Sequence, residues 1–480
     1  MRIQDRNLIG GQWVGAVSGA ELVVRDPATD EELARVPNGG SAEARQAVDA
    51  ATAAFPAWSA KTAAERGAIL RTLSDLMLAR KEELATLMSR EQGKPIGEAR
   101  GEIVYAASFI DWAADEGKRL YGEIVPASSA KKRIFVLRQP LGVCAAITPW
   151  NFPAAMITRK LGPALAAGNT IVVKPAEQTP LSALALAELS IEAGAPAGVI
   201  SVVTGSPVEI SEAWLSDPRL RKLSFTGSTE VGRILMSKAT RNLTRLSLEL
   251  GGHAPFVVFA DADLDATVEG AVASKLRNAG QTCVSANRFI VEDAVHDAFA
   301  AKLAAAFERL PVGRGLDESV RIGPLVDDAA IEKVESHVSD AVSGGASVVS
   351  GGARIRPSAG LTARFFQPTV LTGVTPRMKV SVEETFGPVA PITRFSTEAE
   401  AVQLANDSPF GLAAYLFTRD VSRLFRVAER LDYGIVGAND GAPSTAQAPF
   451  GGVKHSGFGR EGGRWVMEEY VNVKYVSLGL

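Results

Sequence analysis

Through roughly its first hundred residues the chain is rich in Ala, Leu and charged side chains, with apolar positions recurring at helical spacing. That is the period of an amphipathic helix. The spacing predicts one helix over residues 41–60 and a second over 62–90, entered through Ser41 and Thr62. Hydroxyl side chains suit such entries because they accept hydrogen bonds from the first-turn N–H groups. A third helix is predicted from about Pro95 to Asp115.

The rhythm changes after Arg138. Short β-branched runs now alternate with helical stretches, at V-C-A-A-I-T (143–148), T-I-V-V-K (170–174), V-I-S-V-V (199–203) and K-L-S-F-T (222–226). Helices are predicted between them at Leu181–Ala193 and Glu209–Leu215. A second series starts after Gly252 with strands at 255–259, 288–291 and 414–417. Strands alternating with helices imply parallel sheets covered on both faces. The chain therefore reads as two α/β domains joined near Gly251-Gly252. The strand-like segments 132–138 and 470–476 fit neither domain, and a terminal strand leaves an open edge that a second copy could cover. A homo-oligomer is expected.

Composition narrows the function classes. The 480 residues, 46% of them hydrophobic and 22% charged, match a soluble globular protein of two or three domains. Net charge is −3, and no basic stripe marks a nucleic-acid partner. Two cysteines suit a reducing cytosol. The start, M-R-I-Q-D-R-N-L-I-G, lacks a signal-peptide core, and apolar runs break before the ~18 residues of a membrane span. A cytoplasmic location without a membrane partner is expected.

Candidate chemistry sits in five segments. F-T-G-S-T-E-V-G-R (225–233) follows a strand and opens a helix. It is either a tight turn or a phosphate-binding helix start. K-P-A-E-Q-T-P (174–180) lies at the end of a strand, where ligands bind in open sheets. Glu177 there could take both ribose hydroxyls of an adenosine and repel a 2′-phosphate, or it could be a solvated loop charge. In T-P-W-N-F-P (148–153), Asn151 between Trp and prolines is either a rigid amide donor to an oxyanion or part of a stiff local turn. Glu249, between two leucines in L-E-L-G-G-H (248–253), is either an exposed strand residue or a carboxylate raised towards neutrality, as a base requires. Cys283, in N-A-G-Q-T-C-V-S-A-N-R (278–288), has no nearby histidine, and Cys144 reads as a buried small hydrophobe. No metal site of recognisable spacing is present.

Taken together and in this order, these motifs resemble the aldehyde dehydrogenase superfamily, as do E-E-T-F-G-P-V (383–389) and P-F-G-G-V-K-H-S-G-F-G-R-E (449–461). The resemblance spans essentially the whole chain. It implies an α/β, aldehyde dehydrogenase-like fold of two parallel-sheet domains plus a small strand-built oligomerisation region. The implied division is a NAD-binding domain over 1–118 and 139–250, a catalytic domain over 251–437, and oligomerisation segments with a C-terminal return over 119–138 and 438–480. It further implies Cys283 as nucleophile, Glu249 as base, and Asn151 with the Cys283 N–H as oxyanion hole. Trp150, Lys174, Glu177, Gly227, Ser228, Leu250, Glu384 and Phe386 match positions that contact the nicotinamide cofactor. Dimers or tetramers are implied as well.

Within the superfamily, M-I-T-R-K (156–160), W-A-A-D-E-G-K-R-L-Y-G-E-I-V-P (112–126), K-L-R-N-A-G-Q-T-C (275–283) and the ending E-E-Y-V-N-V-K-Y look similar to succinate-semialdehyde dehydrogenases. Arg159, Arg277 and Ser444 match the positions that bind the distal carboxylate there, and two guanidiniums can clamp a carboxylate. Glutarate semialdehyde and 2-oxoglutarate semialdehyde would fit the same arginines. Ser285 stands where many relatives carry a second cysteine, so a regulatory disulfide is not expected. Some NADP-preferring bacterial relatives have a small residue at the Glu177 position, so the carboxylate favours NAD over NADP. A cofactor-free thioesterase using Cys283 would have no use for the Glu177 and Gly227 elements.

Overall fold

Residues 4–480 are described in the computed structural model of the chain. Val143–Ile147, Thr170–Lys174, Ile200–Val202, Leu220–Thr226 and Arg245–Glu249 form the parallel centre of an eight-stranded sheet. Every residue of Val143–Ile147 and Thr170–Lys174 is buried. Apolar, largely β-branched runs of this kind belong in a sheet covered on both faces. Short antiparallel strands finish its edges, Asn7–Ile9 and Gln12–Val14 on one side and Gly457–Phe458 on the other. At two or three residues each, they are too short to establish a period in the sequence.

A seven-stranded sheet follows, ordered Ser347–Ser350, Thr369–Thr372, Val389–Phe395, Ala286–Glu292, Ala254–Val258, Ala413–Phe417 and Ile435–Ala438. All neighbours are parallel except the first pair. Its core gathers around Phe256, whose ring lies 4.8 Å from that of Phe417 and 5.1 Å from that of Phe289. Both large sheets bear out the α/β expectation.

The expected helix over 62–90 is two helices. Ala63–Ala79 ends at Arg80, whose φ of −103° and ψ of 24° break the path before Lys81–Gln92 begins. No Gly or Pro signals the break. The second helix turns away to meet Pro180–Glu192, and its Glu91 carboxylate accepts the Leu181 and Ser182 N–H groups there at 2.8 Å. Thr62 caps as expected, accepting the Glu65 N–H, and Glu65 returns a bond to the Thr62 N–H at 2.7 Å. Ser41, by contrast, is already helical. The preceding Gly40 is the cap, and its N–H is taken by Glu43 at 2.7 Å.

The two orphan segments pair with each other. Lys132–Pro140 and Val471–Gly479 run antiparallel over nine residue pairs, with Glu123–Val125 on the other side. Val471–Gly479 keeps one open edge, and all its residues except Val471 are exposed. Among the described residues, no helix is long and apolar enough to cross a membrane.

Candidate active site

Two loops from different sheets meet across one cavity. Asn151 follows the strand Val143–Ile147 and is buried. Its Nδ2 donates to the Gln281 carbonyl at 3.1 Å, 130 residues away, so the amide reaches across to another loop rather than closing a local turn. The Asn151 backbone carbonyl accepts from Lys94 Nζ at 2.8 Å and from Asn278 Nδ2 at 3.0 Å.

The opposing loop carries Cys283. Three successive residues before it, Asn278, Ala279 and Gly280, have φ values of 52°, 55° and 79°. Such a run is costly for residues with a Cβ, and Gly280 has no alternative. A Cβ there would lie 2.2 Å from the Gly387 carbonyl oxygen. The half-buried Glu98 carboxylate holds the loop through the Asn278 N–H at 2.7 Å. The half-buried Cys283 is thus set at the end of a wound segment. Among the described residues its N–H has no acceptor.

Asn151 and Cys283 line one cavity of about 280 Å³. Trp150, Gly227, Ser228, Leu250, Glu384 and Phe386 line it too. The rings of Trp150 and Phe386 meet edge to face at 5.6 Å, and Glu384 accepts the Gly252 N–H at 3.0 Å. Burial raises Glu384 to about 7. Burial also pushes the Cys283 thiol up to about 12; Arg159 opposes this, while the Glu384, Glu249 and Glu461 carboxylates add to it. A larger cavity of about 390 Å³ lies elsewhere, lined by Arg288 and Asn406. The Arg288 guanidinium is already spent there on the carbonyls of His253, Leu404, Ala405 and Asp407 and the Tyr433 hydroxyl.

Glu249 ends the strand Arg245–Glu249 and is 3% exposed. Neither carboxylate oxygen has a hydrogen-bond partner. Burial, then the nearby Glu461 carboxylate, raises it well above the usual range, and Lys160 and Arg159 pull the other way. Of the two readings open for Glu249, the exposed strand residue is therefore excluded. Lys174 and Glu177 lie apart from this cavity's lining and pair at 2.5 Å at the end of Thr170–Lys174. Burial lowers the Lys174 ammonium, and Glu177 opposes the shift.

Arg159 and Arg277 share an aromatic pocket. Arg159 is 2% exposed and lies over the rings of Phe450 at 4.0 Å, Phe109 at 4.8 Å and Tyr105 at 5.3 Å. It faces Glu461 at 3.7 Å and donates to the Tyr105 hydroxyl. Arg277 lies 4.5 Å over Phe152 and 5.7 Å from Tyr105. Among the described residues it has neither an ion pair nor a side-chain hydrogen bond. Ser444, half-buried in the loop after Ile435–Ala438, makes no hydrogen bond with either arginine.

The arrangement holds the kinds of group a dinucleotide requires. Ser228 caps the helix Thr229–Ala239 by accepting the Val231 N–H at 3.2 Å, which leaves earlier N–H groups of the turn for an anion. A Cβ on Gly227 would lie 2.4 Å from the Phe225 ring, so a larger residue at this wall of the cavity would have to displace that ring. The cavity lining, the helix start and the Glu177 carboxylate therefore offer apolar surface, phosphate donors and hydroxyl acceptors respectively.

Several residues of the site had no role assigned from the sequence. Glu461 bonds Lys160 at 2.6 Å, and Lys160 also donates to Thr226. A signal existed, because Arg159 and Lys160 are adjacent cations in Ala155–Ala166, a helix buried throughout. Buried charges require a counter-charge. Glu461 closes a quoted motif, yet nothing local connects it to that helix. Beneath Asn151, Lys94 and Glu102 pair at 2.5 Å with both side chains 1% exposed. Glu102 also accepts the Ala154 and Ala155 N–H groups at 3.0 and 3.2 Å.

A model of the aldehyde dehydrogenase family matches residues 13–476. The chain is 56% identical to the NADP(+) succinate-semialdehyde dehydrogenase of Escherichia coli (strain K12), over 100% of each chain. It is 54% identical to the glutarate-semialdehyde dehydrogenase of Pseudomonas putida, again over 100% of both. The crystal structure of succinate-semialdehyde dehydrogenase from Burkholderia pseudomallei superposes with a TM-score of 0.98 at 57% identity, covering 100% of this chain and 98% of that one.

Proposed function

The chain belongs to the aldehyde dehydrogenase family, and from that premise we propose that it oxidises small aldehydes bearing a distal carboxylate, succinate semialdehyde foremost, to the acid. One observation carries the substrate class. Arg277 is a guanidinium held between aromatic rings, with no carboxylate of the protein within ion-pair reach among the described residues. Its neighbour Arg159 has Glu461. A partly enclosed cation without a partner is best explained by an anion the substrate supplies. Ser444 completes this end of the site as a polar contact.

Cys283 is the nucleophile. Its thiol proton passes to the unpartnered Glu249 carboxylate and from there to solvent, its sulfur bonds to the aldehyde carbon as the C=O π pair moves onto oxygen, and the resulting oxyanion is held by the second Asn151 Nδ2–H and the free Cys283 N–H. Each such donor is worth on the order of 3 kcal/mol in the transition state. The nicotinamide dinucleotide, when bound, supplies the acceptor for the hydride lost from that carbon. Trp150, Gly227, Ser228, Leu250, Glu384 and Phe386 line its place, and Lys174 and Glu177 receive its adenosine end. Glu249 then takes a proton from the water that cleaves the Cys283 thioester and releases the acid. Burial and the Glu461 carboxylate raise it above an ordinary carboxylate, which makes it the stronger base and supports that role.

The eight-stranded sheet is assigned to cofactor binding (1–118 and 139–250) and the seven-stranded sheet to catalysis (251–437), with 119–138 and 438–480 as oligomerisation segments and a C-terminal return that adds Gly457–Phe458 to the first sheet. The open edge of Val471–Gly479 supports a homodimer or homotetramer. A cytoplasmic location accords with the two unpaired cysteines. NAD is the preferred cofactor because the Glu177 carboxylate repels a 2′-phosphate, in contrast to the Escherichia coli relative, whose name carries NADP(+). Glu177→Ser should move the preference towards NADP. Glutarate semialdehyde is the second substrate reading, favoured by the Pseudomonas putida relative. 2-Oxoglutarate semialdehyde fits the same arginines.

The test is kcat/KM for the three semialdehydes and for hexanal, with NAD and with NADP. Equal values for hexanal and the ω-carboxy aldehydes remove the carboxylate reading. A Cys283→Ala variant that still forms reduced cofactor removes the mechanism.

A further inference from the structure

Tyr105 stands between the two arginines. It lies on the helix Ile96–Glu116, one turn beyond the Glu102 that anchors Asn151's loop. Phe109 supports its ring edge to face at 4.9 Å, and Arg159 and Arg277 lie 5.3 and 5.7 Å from the ring centre. A phenol has one proton to donate and two lone pairs to accept with. Arg159 Nη2 occupies a lone pair. Among the described residues, nothing accepts the proton.

We propose that Tyr105 is a specificity-determining residue of this site, its hydroxyl proton binding the distal carboxylate of the substrate alongside the unpaired Arg277. This rests on the proposed function and sharpens it. One carboxylate oxygen takes the Arg277 guanidinium and the other takes the Tyr105 O–H. Arg159 fixes the phenol oxygen and thereby turns its proton outward. The pocket thus recognises a planar monoanion through two donors of different kind, and Arg159, already facing Glu461, acts mainly by orienting one of them.

Tyr105→Phe removes the hydroxyl and keeps the ring over both guanidiniums. A hydrogen bond to a charged group of this kind is worth about tenfold in binding. The variant should therefore raise KM for succinate semialdehyde about tenfold with kcat changed less than threefold. It should weaken inhibition by succinate in parallel. Hexanal, which has no anionic end, should lose far less. A wild-type enzyme that prefers the ω-carboxy aldehyde, with a Phe variant that keeps the full preference, overturns this inference alone. So does an equal loss on both substrates, which would make Tyr105 structural. A wild-type enzyme without any preference for the carboxylate overturns the proposed function and this inference with it.

Discussion

Replacing Lys94 by methionine tests how the oxyanion donor is held. The Lys94–Glu102 pair is 2.5 Å long with both side chains 1% exposed, so Lys94→Met leaves a carboxylate in the interior without its counter-ion. Removing one partner of such a pair costs about 3–5 kcal/mol. Glu102→Gln keeps an acceptor for the Ala154 and Ala155 N–H groups but strands the ammonium instead. In Lys94→Met/Glu102→Gln neither charge remains, so the double variant should be less damaged than the sum of the singles. The difference should be about 2–3 kcal/mol, the upper range for residues in direct contact. Urea midpoints of the four proteins at one protein concentration read this coupling. Turnover adds a second reading. Lys94 Nζ holds the Asn151 carbonyl, and a displaced amide forfeits up to one oxyanion donor, on the order of 10²-fold in kcat. Additive stability losses, or a Lys94→Met protein within about 1 kcal/mol of wild type, would refute the argument.

Three further outcomes follow from the site. Glu249 is raised above its unfolded value of 4.5, so its ionisation opposes folding once the unfolded chain ionises. Glu249→Gln should therefore be more stable than wild type at pH 8, with an advantage that shrinks towards pH 4.5, while turnover collapses; thermal melts across pH check this. Ala279, at φ 55°, should accept glycine with a stability change of about 0 to +1 kcal/mol, and a melting loss beyond about 1 kcal/mol would show the loop is not strained there. Because burial pushes the Cys283 thiol up to about 12, its iodoacetamide alkylation in the absence of ligands should keep rising from neutral pH to pH 10 without a plateau, measured by mass spectrometry.

The strands of the parallel cores were legible because Thr170–Lys174 and its neighbours are apolar runs bounded by Gly, Pro or polar residues. The break at Arg80 was not, because the amphipathic pattern continues through it and only packing against Pro180–Glu192 redirects the chain. At the site, Cys283, Asn151 and Glu249 each had a bland alternative, and their shared motif order distinguished them. The structure adds the reason that Asn151 is not a local turn: its partner, Gln281, is in the Cys283 loop. Tyr105 and Glu461 escaped because their partners Arg159 and Lys160 are 54 and 301 residues away. Lys94 and Glu102 lie only 8 residues apart, but what they hold, the Asn151 carbonyl and the Ala154 N–H, is 57 and 52 residues away. A carboxylate 301 residues from its lysine leaves no periodic trace.

That same separation has a consequence for the ribosome. Arg159 and Lys160 enter the nascent chain 301 residues before the carboxylate that offsets Lys160. At roughly 5–20 residues per second, the interval is about 15–60 s. Throughout it, the helix Ala155–Ala166 carries two cations that cannot be buried without cost, and the strand Arg245–Glu249, once made, waits for its neighbour Gly457–Phe458. The eight-stranded sheet is therefore born incomplete and stays so until Gly457–Phe458 emerges. A truncated product that ends before Glu461 keeps Cys283 and Asn151 but never closes the electrostatics around them.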